Sequence, residues 1–282
     1  MTISAVQEPS GSGGSASFRA KYEAAVATND SLLCIGLDPD PAHMPVGVDP
    51  DVYLREIVNA TADLVCCFKP NAAFFEVRGP SGVDALGALI ESIPAEIPVL
   101  LDAKRGDVGH SAAFYAKAAF ETLGADAITV NPYLGGDSVS PFIAYEDHHT
   151  FVLCRTSNAG AGEIQDQVLA EGGGPLYLEI AARANTWNTH GNVGLVVGAT
   201  YPDEVRAVRA LCPELLFLMP GIGAQAGELD EAVRAALDSN RGGIIVNASR
   251  SVLYADAHGD FAVAARAEAL RLRDAIRSAC VD

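Results

Sequence analysis

Eight short runs rich in aliphatic and β-branched residues recur along the chain, and no other feature restricts the fold as much. They are SLLCIGLDPD (Ser31 to Asp40), LVCCFKPN (Leu64 to Asn71), PVLLDAKRGD (Pro98 to Asp107), AITVNPYLG (Ala127 to Gly135), TFVLCRTSN (Thr150 to Asn158), VGLVVGAT (Val193 to Thr200), LLFLMPGIG (Leu215 to Gly223) and GGIIVNASRS (Gly242 to Ser251). Their apolar stretches are continuous rather than alternating, as in strands buried on both faces. Segments of helical period, such as SAAFYAKAAFETLG and YPDEVRAVRALC, separate most of them. Eight parallel strands covered by helices predict an α/β fold, a single (β/α)8 TIM barrel. A doubly wound sheet satisfies the same pattern, because a strand count does not establish closure.

No Pro/Gly/Ser linker or change of rhythm interrupts the interior. The chain therefore divides into a Ser/Gly-rich N-terminal tail, residues 1–17, expected to be flexible, and one catalytic barrel, residues 18–282. The glycine cluster at Glu171 to Gly174 reads as a long loop after the fifth strand. With 282 residues and 49% hydrophobic side chains, the chain can bury a large core.

Net charge of -17 argues against nucleic-acid polymers and anionic membranes as partners, since both need a basic face. An anionic ligand must then be captured by a few local Lys and Arg side chains. Six cysteines, Cys34, Cys66, Cys67, Cys154, Cys212 and Cys280, form no CxxC pair and no zinc-like spacing with histidine. Most lie in apolar runs and read as core residues of a cytoplasmic protein. Met1 to Ser17 lacks the apolar stretch of a signal peptide, and no segment approaches the roughly 20 apolar residues of a membrane span. His148 and His149 adjoin each other, but spacing places no further metal ligand beside them, so they read as surface or core residues.

Polar residues gather at one end of the strands. Asp38, Lys69, Asp102, Lys104, Asn131, Thr156, Ser157, Gln225 and Arg250 all fall at or just after the C-terminal end of a run, which is the catalytic rim of a barrel. Asp102 and Lys104 are two apart, so a regular strand would put both side chains on one face, towards the barrel axis. Each residue also has a plainer reading. Asp107 fits a helix N-cap for the segment beginning near His110, and Lys69 and Arg250 taken singly fit solvated surface charges. Arg105-Gly106-Asp107 spells an adhesion tripeptide, a triplet common by chance.

A second signal sits at the last two strand ends. MPGIGAQAGE supplies Gly221, Gly223 and Gly227, and NASRS supplies Arg250, at the two loops where barrels commonly bind phosphate. Backbone N–H groups freed by glycine, together with a guanidinium, suit a phosphate dianion, whereas the plainer reading is a glycine turn. The G-x-G-x-x-x-G spacing misses the dinucleotide fingerprint by one residue, and no P-loop motif occurs.

DAKRGD resembles the D-x-K-x-x-D signature of the orotidine 5'-phosphate decarboxylase family, in the longer-chain bacterial subgroup where it reads DAKRGD. FKPN, TSNAG, PGIGAQAG and VNASRS fall where that family has its other site segments, so the resemblance runs from Phe18 to about Cys280. It implies a homodimeric barrel that decarboxylates orotidine 5'-monophosphate to UMP, the last step of de novo pyrimidine synthesis, with neither metal nor organic cofactor. By resemblance, Lys104 is the proton donor to C6 of the pyrimidine and Asp102 lies beside the departing carboxylate. Asp107 reaches the adjoining subunit's site, and Lys69 joins the charge network. Asp38 holds the ribose, and Ser157, or its neighbour Thr156, meets the pyrimidine. Gln225 and Arg250 hold phosphate with the glycines Gly221 and Gly223. Two other readings stay open: a magnesium-dependent sugar-phosphate decarboxylase or synthase of the same barrel group, and a non-catalytic nucleotide-binding protein, which would need no Lys104.

Overall fold

Each of the eight apolar runs forms a strand: β1 (Leu33–Leu37), β2 (Cys67–Pro70), β3 (Leu100–Arg105), β4 (Ala127–Val130), β5 (His149–Arg155), β6 (Val193–Val197), β7 (Leu216–Met219) and β8 (Ile244–Ala248). These elements come from a computed structural model that describes residues 16–170, 173–221, 226–256 and 259–281. The strands are shorter than the runs because polar ends such as Asp38 to Asp40 and Thr156 to Asn158 leave the ladder for the rim.

All neighbouring strands pair in parallel, in the order β2-β1-β8-β7-β6-β5-β4-β3. The outer strands of that order, β2 and β3, meet through the single parallel bridges Phe68–Val99 and Asn71–Asp102. There the Phe68 N–H donates to the Pro98 carbonyl at 3.1 Å and the Ala72 N–H to the Asp102 carbonyl at 3.2 Å. The barrel is thus closed, at a thin seam, and the doubly wound alternative falls because both edges of its open sheet are paired here.

Helices between the strands bury one face each. Pro50–Thr61 starts where Asp49 caps the N–H groups of Asp51 and Val52, with Pro50 in the first turn, and buries Tyr53, Leu54, Ile57, Val58 and Thr61 against the barrel. The cysteines behave as core residues: all six are free thiols, and five are buried. Burial pushes the thiols of Cys66, Cys67 and Cys154 up, which makes them poor nucleophiles.

Phe18–Asn29 caps the N-terminal end of the barrel. Its Phe18 ring lies 5.0 Å from the His149 ring and 5.8 Å from that of Phe151, while Tyr22 Oη donates to the Ile244 carbonyl at 2.9 Å. Lys21 pairs with Asp126 at 2.7 Å. At the same end Arg209 is buried, donates to the carbonyls of Ala236, Cys212, Leu215 and Gly243, and stacks on Phe217. Carbonyl dipoles take the place of a carboxylate there, and burial brings this guanidinium down to about 10.

His149 is a core residue whose Nε2 has no hydrogen-bond partner. Burial, with Arg19 nearby, lowers its pKa from 6.5 to about 3. The unfolded chain therefore takes up this proton first as pH falls. The stability tied to a neutral His149 is complete above about 6.5 and is lost progressively towards pH 3. At pH 5 the loss amounts to about 2 kcal/mol. Urea unfolding at pH 7.5 and pH 5 is expected to show a drop that is smaller by this amount in His149→Phe. An equal drop in both proteins would contradict the assignment.

Candidate active site

A buried carboxylate held by two ammonium groups lies at the closing seam. Asp102 Oδ2 accepts from Lys69 Nζ at 3.0 Å across the β2–β3 junction, and Asp102 Oδ1 accepts from Lys104 Nζ at 2.6 Å. Thr129 Oγ1 on β4 donates to the same Oδ1 at 2.9 Å. Burial pushes the Asp102 carboxyl up, but Lys69 and Lys104 outweigh it and bring it down to about 2. Burial acts to lower Lys69, and the Asp102 and Asp38 carboxylates more than offset it, so its ammonium is held well above the usual lysine range. Both charges at this junction are therefore fixed at neutral pH.

The two lysines differ in access. The Lys69 side chain is only 4% exposed, whereas that of Lys104 is 47% exposed and faces open space. Lys104 is the better placed of the two to offer a proton to a bound molecule while staying tied to Asp102.

The strand is irregular around Asp102 and Lys104. Leu101 is in register with Ile128 and Arg105 with Val130, so β3 carries a bulge between them, and Lys104 adopts the left-handed backbone region at φ 46°. The Lys104 N–H donates to Thr129 Oγ1 at 2.9 Å, which offsets part of the cost of that conformation. Asp102 and Lys104 nevertheless meet on one face, as their spacing of two predicts.

Two adjoining depressions open at the C-terminal rim. One, of about 460 Å³, is lined by Lys69, Asp102, Lys104, Thr156, Ser157, Leu218 and Pro220. The other, of about 620 Å³, is lined by Asp38, Phe74, Gly221, Asn247, Ser249, Arg250 and Tyr254. Gly221 and Ser157 meet where they join. Gly221 has φ 84°, and a Cβ there would lie 2.9 Å from Ser157 Oγ, so glycine is needed both for the turn and for the close approach. Gly36 serves the second depression in a similar way, since a Cβ on β1 would collide with Ser249 Oγ at 1.9 Å and crowd the Asp38 carboxylate at 3.0 Å.

The rim thus brings together Asp38, Lys69, Asp102, Lys104, Ser157, Gly221 and Arg250. Arg250 is exposed and makes no ion pair among the described residues. Thr156 and Ser157 separate by their bonding. The Thr156 hydroxyl donates to Asn158 Oδ1 at 2.6 Å and accepts from Gln165 Nε2 at 2.8 Å, and both Thr156 and Ser157 line the cavity. Asn131 is used locally, its Oδ1 accepting from the Tyr133 N–H at 3.0 Å. Gly223 and Gln225 lie outside the described residues.

Asp107 neither lines the depressions nor caps the helix Gly109–Lys117. The capping position is Val108, which makes no side-chain cap bond, and among the described residues Asp107 Oδ1 accepts only from the adjacent Val108 N–H at 2.8 Å. The cap reading is therefore corrected: Asp107 stands one residue before the capping position, and its carboxylate makes no bond to the free N–H groups of the first turn.

Among the polar residues of the site that sequence reasoning missed are Thr129, Gln165 and Tyr254. Thr129 interrupts the apolar run AITV and could have been noticed there. Gln165 and Tyr254 sit in segments of ordinary composition, and only the fold brings them to the rim.

No group of three or more His, Cys, Asp and Glu is positioned to hold a metal ion among the described residues. Asp102 is already committed to two ammonium groups and a hydroxyl, so a metal would have to displace them.

A closed barrel with a charged carboxylate–ammonium network beside a guanidinium-lined depression defines a barrel enzyme for a small anionic substrate. The chain belongs to the orotidine 5'-phosphate decarboxylase / HUMPS family, whose model matches residues 31–266. It is 54% identical over 266 residues to orotidine 5'-phosphate decarboxylase of Thermomicrobium roseum, covering 92% of this chain and 95% of that one. Against the enzyme of the same name from Roseiflexus sp. strain RS-1 it is 53% identical over 268 residues, covering 93% and 98%. The solved structure of Leishmania donovani OMP decarboxylase matches with a TM-score of 0.84 and 39% identity, over 94% of this chain and 99% of that one.

Proposed function

We propose that this protein decarboxylates orotidine 5'-monophosphate to UMP, the last step of pyrimidine nucleotide synthesis. The observation that carries the reading is the half-exposed Lys104 ammonium, locked to a buried Asp102 and facing the cavity. Close relatives named orotidine 5'-phosphate decarboxylase support it.

In this reading Arg250 takes the phosphate, with Gly221 beside it and with Gln225 and Gly223 from the preceding loop. Asp38 takes the ribose, and Ser157 the pyrimidine. Departure of carbon dioxide leaves an electron pair on C6 with no carbonyl to absorb it. A cation already in place where that charge develops stabilises the transition state without reorganising. Lys104 provides it and then transfers a proton to C6, after which water restores the ammonium. Asp102 and Lys69 hold Lys104 in position, and no cofactor enters the cycle.

The protein acts as a homodimer in which Asp107 completes the neighbouring site. Asp107 stands outside the two depressions of its own chain, and the segment that follows it exposes Val108, at 57%, and Phe114, at 64%; apolar surface of this kind suits a subunit contact. No described helix is long and apolar enough to cross a membrane, and buried free thiols support a reducing cytoplasm as its setting.

The direct test is ultraviolet loss of orotidine 5'-monophosphate in the presence of a chelator. Turnover unaffected by chelation is expected. Chelator inhibition reversed by magnesium would favour the sugar-phosphate enzyme reading, and no turnover with or without magnesium would favour a nucleotide-binding protein.

A further inference from the structure

Tyr254 lies four residues beyond Arg250, at the end of the short helix Arg250–Leu253 that follows β8. Its hydroxyl donates to the Asp38 carbonyl at 2.8 Å and accepts from the Asp40 N–H at 2.7 Å. One phenol oxygen thus pins the exit of β1 on both sides of Pro39, from a segment more than two hundred positions away. Tyr254 also lines the same depression as Asp38 and Arg250. Its ring packs against His43 at 5.4 Å between centroids, and His43 Nδ1 lies 2.9 Å from Asp40 Oδ2, so the strap is braced from the outer side. Asp38 itself has a buried Oδ1 with no hydrogen-bond partner, an acceptor held ready in a depression built for a ligand.

We propose that Tyr254 is a positioning residue for sugar recognition, its hydroxyl fixing the Asp38–Asp40 segment so that the unpartnered Asp38 carboxylate meets the ribose hydroxyls. The inference rests on the reading of Asp38 as the ribose ligand. Pinning the backbone on both sides of Pro39 removes freedom that the carboxylate would otherwise lose on binding, so the effect falls on substrate affinity and on the distinction between sugars. The proton step at Lys104 is left alone.

The experiment compares kcat and KM for orotidine 5'-monophosphate and for its 2'-deoxy and 3'-deoxy analogues, in the wild type, Tyr254→Phe and Asp38→Asn. Tyr254→Phe is expected to raise KM for the ribonucleotide about tenfold, to leave kcat within about threefold, and to shrink the preference for the ribonucleotide over at least one deoxy analogue by a similar factor. Asp38→Asn should lose that preference more completely. Equal losses on ribo- and deoxy-substrates in Tyr254→Phe would mark a merely structural tyrosine and overturn the inference while leaving Asp38 in its role. If Asp38→Asn retains the preference in full, the ribose assignment of Asp38 fails and the inference falls with it. Tyr254→Leu serves as a second variant expected to behave as Tyr254→Phe does. Failure of both to fold, judged by thermal melting, would also overturn the inference by making the residue a structural one.

Discussion

Replacing Lys104 by Ala is expected to lower kcat at least a thousandfold, about 4 kcal/mol of transition-state stabilisation, while UMP still binds within roughly tenfold of the wild type. The separation follows from the geometry. Lys104 is half exposed, so truncation leaves no buried hole, and Asp102 keeps its bonds to Lys69 and Thr129. The product has no charge at C6 for an ammonium to stabilise, whereas the transition state does. Steady-state assays and product-binding measurements on one preparation would check both halves. Turnover within about tenfold of the wild type, only ~1.4 kcal/mol, would end the assignment of Lys104 as proton donor.

Mixing two inactive variants is expected to restore activity. In a symmetric dimer with shared sites, a hybrid of one Lys104→Ala chain and one Asp107→Ala chain has one site with both defects and one with neither. Random exchange makes roughly half the dimers hybrid, each with one intact site of two, so about a quarter of wild-type activity should return. Asp107 lies outside the two depressions of its own chain, and the bond its carboxylate makes among the described residues is to the next backbone N–H, which leaves it available to a partner. Demonstrated subunit exchange without recovery would place Asp107 in its own chain's site, and a fully active Asp107→Ala protein would remove it from catalysis.

Much of the site was legible because barrel chemistry gathers where strands end. Asp38, Lys69, Asp102, Lys104, Ser157, Gly221 and Arg250 each follow an apolar run, and the rim brings them to two adjoining depressions. What was not legible depends on partners far apart in sequence. Thr129, twenty-five residues after Lys104, holds its backbone and the Asp102 carboxylate together. Gln165 clamps Thr156 through both its backbone N–H and its hydroxyl. The helix-cap expectation for Asp107 failed by a single residue, because where a first turn begins is set by backbone geometry that residue preferences mark only to within a position or two.

The order of eight continuous apolar runs and their intervening helices was determined by sequence alone, since burial on both faces demands apolar side chains at every strand position. So were the residue types available at the rim, and the core role of the cysteines. Closure was decided only in three dimensions. The β2–β3 seam rests on two isolated bridges that no local pattern encodes, and the charged network of Lys69, Asp102 and Lys104 spans that very seam. The shared face of Asp102 and Lys104 followed from their spacing, whereas the bulge and the left-handed backbone at Lys104 did not show in the sequence. A strand's pattern records what it must bury, whereas the placement of a charge records which distant groups the closed barrel brings within hydrogen-bonding distance.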